Sequence, residues 1–187
     1  MNDDLLNRAL IFAVNAHAGM VRKGTNTPYI VHPIEAAAIV ASMTNDKEVI
    51  AAAALHDVVE DTNYTIDDIK KEFGDKVAGL VASESENKRP ELPEEETWKI
   101  RKEETLEHLK NASIETKIVT LGDKLSNIRA IYRDYLELGD RLWDRFNQKD
   151  KSEHAWYYSS IADLLSDLNN YPAWKEYKDL VNRVFGE

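Results

Sequence analysis

Ala51-Ala52-Ala53-Ala54-Leu55-His56-Asp57-Val58-Val59-Glu60-Asp61 decides how this chain folds. The stretch favours helix and is apolar almost all the way round, the pattern of a helix buried on every side. His56, Asp57, Glu60 and Asp61 nevertheless sit within it. A lone buried carboxylate is costly, so each of these groups must be paired, protonated or bound to a cation. On a helix His56 and Glu60 share one side, as do Asp57 and Asp61. An imidazole with three neighbouring carboxylates suits a divalent metal that carries a water.

Outward from this stretch the pattern stays helical. Leu5, Leu6, Ala9, Leu10, Ala13, Val14 and Ala16 form an apolar stripe ending near His17 and Gly19. A loop from Gly19 to Pro33 carries Arg22-Lys23, and residues 34–43 read as a second helix with Pro33 at its start. Asp46 suits the N-cap of the central helix. Thr65-Ile66-Asp67-Asp68 opens a short helix that stops at Gly74, and another is expected over 75–85. Residues 86–96, polar and broken by Pro90 and Pro93, read either as a solvated connector or as a lid. Helices are then expected over 97–111, 114–137 (stopped by Gly139), 151–169 and 173–184. With strand-like alternation sparse and no repeat or linker visible, the expected fold is a single all-α domain over residues 1–187.

Composition narrows the function. The chain has 187 residues, 31% charged and 43% hydrophobic, enough for one full core. It contains no cysteine, which excludes disulfides and thiolate metal sites. Its formal charge of -10 argues against broad nucleic-acid binding, though a small phosphorylated ligand needs only a few local cations. No run approaches the roughly 20 apolar residues of a membrane span. Met1-Asn2-Asp3-Asp4 lacks the features of a secretory signal, so a cytoplasmic location is expected.

Two more polar groups stand out. In the helix from 114, Ile114, Ile118, Leu121, Leu125 and Ile128 should face the core, with Thr116, Thr120, Asp123 and Asn127 alongside. Asp123 reads either as a helix-surface residue answered by Lys124 or Asn127, or as a metal ligand. His32 reads either as a donor to a backbone carbonyl or as a ligand. His17 suits packing, His108 exposure, and His154 an aromatic wall with Trp156-Tyr157-Tyr158. Lys88-Arg89 and Trp98-Lys99-Ile100-Arg101-Lys102 read as closing over a polyphosphate or as a solvated face balancing Glu94-Glu95-Glu96.

Three ordered blocks carry a family resemblance: Tyr29-Ile30-Val31-His32-Pro33, then His56-Asp57-Val58-Val59-Glu60-Asp61-Thr62, then Leu121-Gly122-Asp123-Lys124-Leu125-Ser126-Asn127-Ile128-Arg129. Over residues 5–130 the chain resembles the HD-domain metal-dependent phosphohydrolases, specifically the hydrolase domain of RelA/SpoT-type alarmone enzymes. The resemblance implies a metal, usually Mn²⁺, held by His32, His56, Asp57 and Asp123. It implies that Glu60 and Asp61 orient or deprotonate the attacking water, that Asn127 contacts substrate, and that Arg22 and Lys23 lie by the nucleotide. The implied reaction removes the 3′-pyrophosphate of guanosine tetra- or pentaphosphate. The long bifunctional enzymes usually have Ala, Arg and His where Gly122, Lys124 and Ser126 stand, which bears on base and phosphate recognition. No room remains for a synthetase domain, so a stand-alone hydrolase is implied. Other readings are the same site acting on another nucleotide (an adenine analogue, a nucleoside phosphate, NADPH), or a silent nucleotide-binding module. The sequence leaves the oligomeric state open.

Overall fold

In the computed structural model, which describes residues 4–89 and 91–186, Val49 to Leu55 are all buried in one helix. The expectations touching Met1–Asp3 and Pro90 lie outside the described residues, as do those resting on the side chains of Glu94 and Glu95. Every regular element among the described residues is helical, apart from one isolated antiparallel bridge between Val21 and Pro28. In chain order they are α1 (Leu5–Ala16), α2 (Val31–Ala41), α3 (Lys47–Leu55), α4 (Val58–Asp61), α5 (Ile66–Phe73), α6 (Asp75–Glu84), α7 (Glu94–Lys110), α8 (Ile114–Leu138), α9 (Lys151–Leu164) and α10 (Pro172–Phe185). Short 3₁₀ segments cover Gly139–Arg145 and Ser166–Leu168.

The alanine run explains the middle of the molecule. α3 packs against α1, α2, α6 and α8. Methyl side chains let four neighbours approach one helix, while Val49 and Leu55 supply bulk, each fully buried aliphatic contributing about 1.5–3 kcal/mol. Asp46 caps α3 by accepting from the amides of Glu48 and Val49, and Thr65 and Asp68 form a reciprocal capping box on α5. One expectation needs correction. The helix is not continuous to Asp61: it ends at Leu55, His56 and Asp57 form a turn, and α4 adds a single further turn. This break lets His56 and Asp57 face the same point, as a straight helix would not.

The 25-residue helix α8 is the strut of the fold and touches α2, α3, α6 and α10. Ile118, Leu121, Leu125 and Ile128 are buried as expected, but Ile114 is 51% exposed. It is the first residue of the helix, ahead of the point where neighbours cover that face. α2 begins at Val31, so Pro33 lies within its first turn, where a missing N–H costs nothing. α2 and α8 cross closely at Gly122: a Cβ there would stand 2.6 Å from Val40 Cγ2 and 2.9 Å from the Ala36 carbonyl oxygen. Gly122 thus sets the approach of the helices that carry His32 and Asp123.

Candidate metal and substrate site

Four side chains from three places in the chain meet between α2, α3 and α8. His32 Nε2 lies 3.2 Å from His56 Nε2, 3.4 Å from Asp57 Oδ2 and 3.2 Å from Asp123 Oδ1. His56 Nε2 lies 3.1 Å from Asp57 Oδ2 and 3.6 Å from Asp123 Oδ1. Donor atoms about 2.0–2.2 Å from a shared ion stand about 3.0–3.5 Å apart at adjacent positions, which matches this spacing. His32, His56 and Asp57 form the tightest set, mutually within 4.8 Å, and Asp123 approaches both imidazoles from α8.

Hydrogen bonding fixes the rings in the ligand tautomer. His56 Nδ1 is 2.8 Å from the Ala53 carbonyl, which can only accept. His32 Nδ1 is 2.8 Å from Ser126 Oγ, whose own hydrogen goes to Glu35 Oε2 at 2.7 Å. Both Nδ1 atoms therefore carry hydrogen, and both Nε2 lone pairs turn toward the same point. Two such lone pairs do not satisfy one another; a cation between them does.

The charges agree. Burial pushes Asp57 up, but the adjacent His56 and His32 hold its carboxyl well below the usual carboxylate range. Burial likewise raises Asp123, and Lys124 with the two imidazoles brings it well below. Burial pulls His56 down, yet Asp57 and Asp123 hold it well above the ordinary imidazole value. Two ionised carboxylates beside two imidazoles make a cation-binding set, and the positive charge they draw toward His56 is what a metal ion at this point would replace. Tyr29 Oη donates to Asp57 Oδ2 at 2.7 Å, and Asn127 Nδ2 donates to Asp123 Oδ1 at 2.5 Å. Lys124 Nζ sits 2.6 Å from Asp123 Oδ2. Both partners offered by the surface reading of Asp123 are therefore present, but in a residue only 5% exposed that also meets two imidazoles.

Glu60 and Asp61 lie beside this cluster on α4. Lys88 Nζ bridges them, donating to the Glu60 carbonyl and to Asp61 Oδ1, both at 2.8 Å, and standing 3.5 Å from Glu60 Oε1. Burial first, then Asp57 and Glu86, push the Glu60 carboxyl up. A base with a raised pKa holds an abstracted proton better.

Next to His32 opens a cavity of about 470 Å³, lined among others by Arg22, Lys23, Tyr29, Asn127, Arg133 and Tyr158. The Val21–Pro28 bridge closes the loop that presents the two basic residues, with Gly24 in the left-handed region at its tip. Arg22 Nη2 donates to Asn127 Oδ1 at 2.8 Å, and its guanidinium lies over the Tyr29 ring at 5.8 Å. Lys23 Nζ donates to Asn147 Oδ1 at 2.7 Å. The nine residues that the resemblance picks out thus gather around one cluster of donor atoms and its adjoining cavity.

Other readings resolve differently. His17 is buried with its ring 5.0 Å from that of Tyr29, and neither ring nitrogen has a hydrogen-bond partner. His108 is exposed. His154 packs among Trp98, Trp143 and Phe146 and bonds the Gln148 carbonyl. Arg101 and Lys102 neither form a solvated face nor reach toward the cavity at Arg22: both bind Glu86, at 2.8 and 2.7 Å. Glu84, unmarked in the sequence reading, accepts from Thr120 Oγ1 at 2.6 Å, and burial pushes it up to about 7. Glu35 and Glu86 carry no mark in the sequence either, and Ser126 and Lys88 meet His32 and the Glu60-Asp61 pair rather than a substrate group. Their roles come from tertiary contacts that no local pattern encodes.

Among the described residues, no helix is long and apolar enough to cross a membrane. The HD domain family model matches residues 9–145. A "GTP pyrophosphokinase rsh" of Brucella ovis is 32% identical over 131 residues, which are 70% of this chain and 17% of that protein, so the chain spans a small part of that relative. A "Guanosine-3′,5′-bis(diphosphate) 3′-pyrophosphohydrolase MESH1" of Xenopus tropicalis is 39% identical over 132 residues, 69% of this chain and 70% of that one. Among solved structures, a metazoan orthologue of SpoT described as hydrolysing ppGpp superposes with a TM-score of 0.75 at 27% identity, covering 98% of this chain and 96% of its own. With the motif blocks, the donor set and these relatives in agreement, the chain belongs to the HD-domain family, in the branch that includes the guanosine-3′,5′-bis(diphosphate) 3′-pyrophosphohydrolases.

Proposed function

We propose that this chain is a single-domain, Mn²⁺-dependent hydrolase that removes the 3′-pyrophosphate of guanosine tetra- and pentaphosphate, giving pyrophosphate and GDP or GTP. The observation that carries the proposal is the donor set of His32, His56, Asp57 and Asp123 opening beside a cavity lined by Arg22, Lys23 and Asn127. Mn²⁺ suits a set of imidazoles and carboxylates that leaves room for water. A cysteine-free chain acting on a nucleotide fits the cytoplasm.

When bound, a divalent cation lowers the pKa of water and polarises a phosphoryl oxygen. The chain supplies the rest. Arg22, braced by Asn127 and Tyr29, presents a flat cation that can stack on a base or fork onto phosphate oxygens, and Lys23 adds a point charge. Asn127 spans Arg22 and Asp123, so it ties the substrate cavity to the donor set. Glu60 accepts the proton of the attacking water as its oxygen bonds to the phosphorus on the ribose 3′ oxygen. The bond from phosphorus to that oxygen breaks, and the ribose oxygen regains a proton. Asp61, held by Lys88, orients the water rather than taking its proton.

The test is product identification. Mn²⁺-loaded protein incubated with guanosine tetraphosphate is expected to release pyrophosphate and GDP in equal amounts. Orthophosphate alone would replace this reading with a phosphatase. Turnover only of other nucleotides would move the substrate, and none across a nucleotide panel would favour a silent binding module.

A further inference from the structure

A chain of hydrogen bonds runs from His32 to the C-terminal helix. Beyond the His32–Ser126–Glu35 contacts described above, Arg129 Nη1 donates to Glu35 Oε1 at 3.0 Å. The same guanidinium forks onto Glu176 of α10, Nε to Oε1 and Nη2 to Oε2, both at 2.7 Å. α10 lies outside the residues that match the family model.

Ser126 is the joint of this chain. It is 2% exposed, so its hydroxyl has only local partners. Its hydrogen goes to a carboxylate, which leaves only lone pairs for His32. Glu35 can serve as that acceptor because Arg129 holds its other oxygen. We infer that Ser126, with Glu35 and Arg129 behind it, is a positioning residue that locks the His32 tautomer and raises its donor strength, and so sets the affinity of the site for its metal. Partners of this kind on a ligating histidine orient the ring and make it more basic. Glu176 fixes Arg129 from α10, so the C-terminal helix bears on the metal site through this relay. His56, answered by a backbone carbonyl of its own helix, is independent of it.

The inference rests on His32 being a metal ligand, and the test separates the two. Mn²⁺ is titrated calorimetrically into the metal-free full chain and into Ser126→Ala, Ser126→Thr and Glu35→Gln. The histidine tautomers are read by long-range ¹H–¹⁵N correlation before metal is added. Ser126→Ala is expected to weaken Mn²⁺ binding about 10- to 100-fold and to leave His32 as a mixture of tautomers, with His56 unchanged. Glu35→Gln is expected to weaken binding by less, and Ser126→Thr, which keeps the hydroxyl, to stay near the parent. Ser126→Ala with parental affinity and a single His32 tautomer would overturn the relay. Failure of the parent to bind Mn²⁺ would overturn the ligand assignment instead, and the tautomer spectrum would still decide the Ser126 contact. Should Ser126→Ala not fold, unchanged affinity and tautomer in Glu35→Gln would overturn the relay equally.

Discussion

Glu60→Gln is expected to lower kcat by about 10²–10⁴-fold, the range for losing a positioned general base, while Mn²⁺ binding stays close to that of the parent. Glutamine keeps the shape of the side chain and its acceptor oxygen, but it cannot take a proton. Glu60 is not among the groups that meet at the metal cluster, so its charge bears on the metal only at a distance. Asp61 is a weaker candidate for the base, because Lys88 holds its Oδ1 at 2.8 Å. The pH profile gives the sign. Burial, Asp57 and Glu86 raise the Glu60 pKa, and the base works only when deprotonated. Activity of the parent should therefore fall on acidification above the usual carboxylate range, as pH drops through that raised value. The residual activity of Glu60→Gln should lack this limb. A variant with parental kcat and an unchanged acid limb would remove Glu60 from the role.

Asp123→Asn is expected to abolish both Mn²⁺ retention and turnover. The substitution preserves volume, so the crossing of α2 and α8 is kept. It removes one of the two carboxylates of the donor set and presents a neutral amide to His32 and His56. It also leaves Lys124 without its nearest carboxylate. Removing one partner of a buried ion pair costs about 3–5 kcal/mol when nothing replaces it. Here Glu84 and Glu86 face the same ammonium, and Glu84, raised to about 7, gains a reason to ionise. The expected loss of stability in the metal-free protein is therefore smaller, about 1–3 kcal/mol, read from denaturant unfolding. An Asp123→Asn protein that binds Mn²⁺ like the parent would show that the ion lies elsewhere.

Much of this site was legible because its residues break a pattern. Four alanines and Leu55 demand burial, so His56 and Asp57 directly after them had to be explained by chemistry rather than solvation. Helix boundaries were legible where caps are local, as at Asp46, Thr65 and Gly139. The break between α3 and α4 was not, since Leu55-His56-Asp57-Val58 holds neither glycine nor proline; only tertiary packing turns the chain there. Ile114 carried the right spacing but sits where no neighbour covers it. The sequence suggested that Gly122, Lys124 and Ser126 bear on base and phosphate recognition. In the structure Gly122 sets a helix crossing, Lys124 holds Asp123 and Ser126 holds His32. Gly122 and Ser126 act through partners more than about 80 residues away, which local spacing does not write, whereas Lys124 pairs with its neighbour Asp123, as one reading of the sequence offered. At Arg101 and Lys102 the reason is related: a charge count cannot show that Glu86 folds back to meet them.

Anomalous scattering from crystals of the full chain grown with Mn²⁺ tests the four-residue metal centre most directly. One peak is expected, about 2.0–2.3 Å from His32 Nε2, His56 Nε2 and a carboxylate oxygen of both Asp57 and Asp123. A peak bound by Glu60, Asp61 or Glu86 instead, or none between the two imidazoles at saturating Mn²⁺, would contradict it.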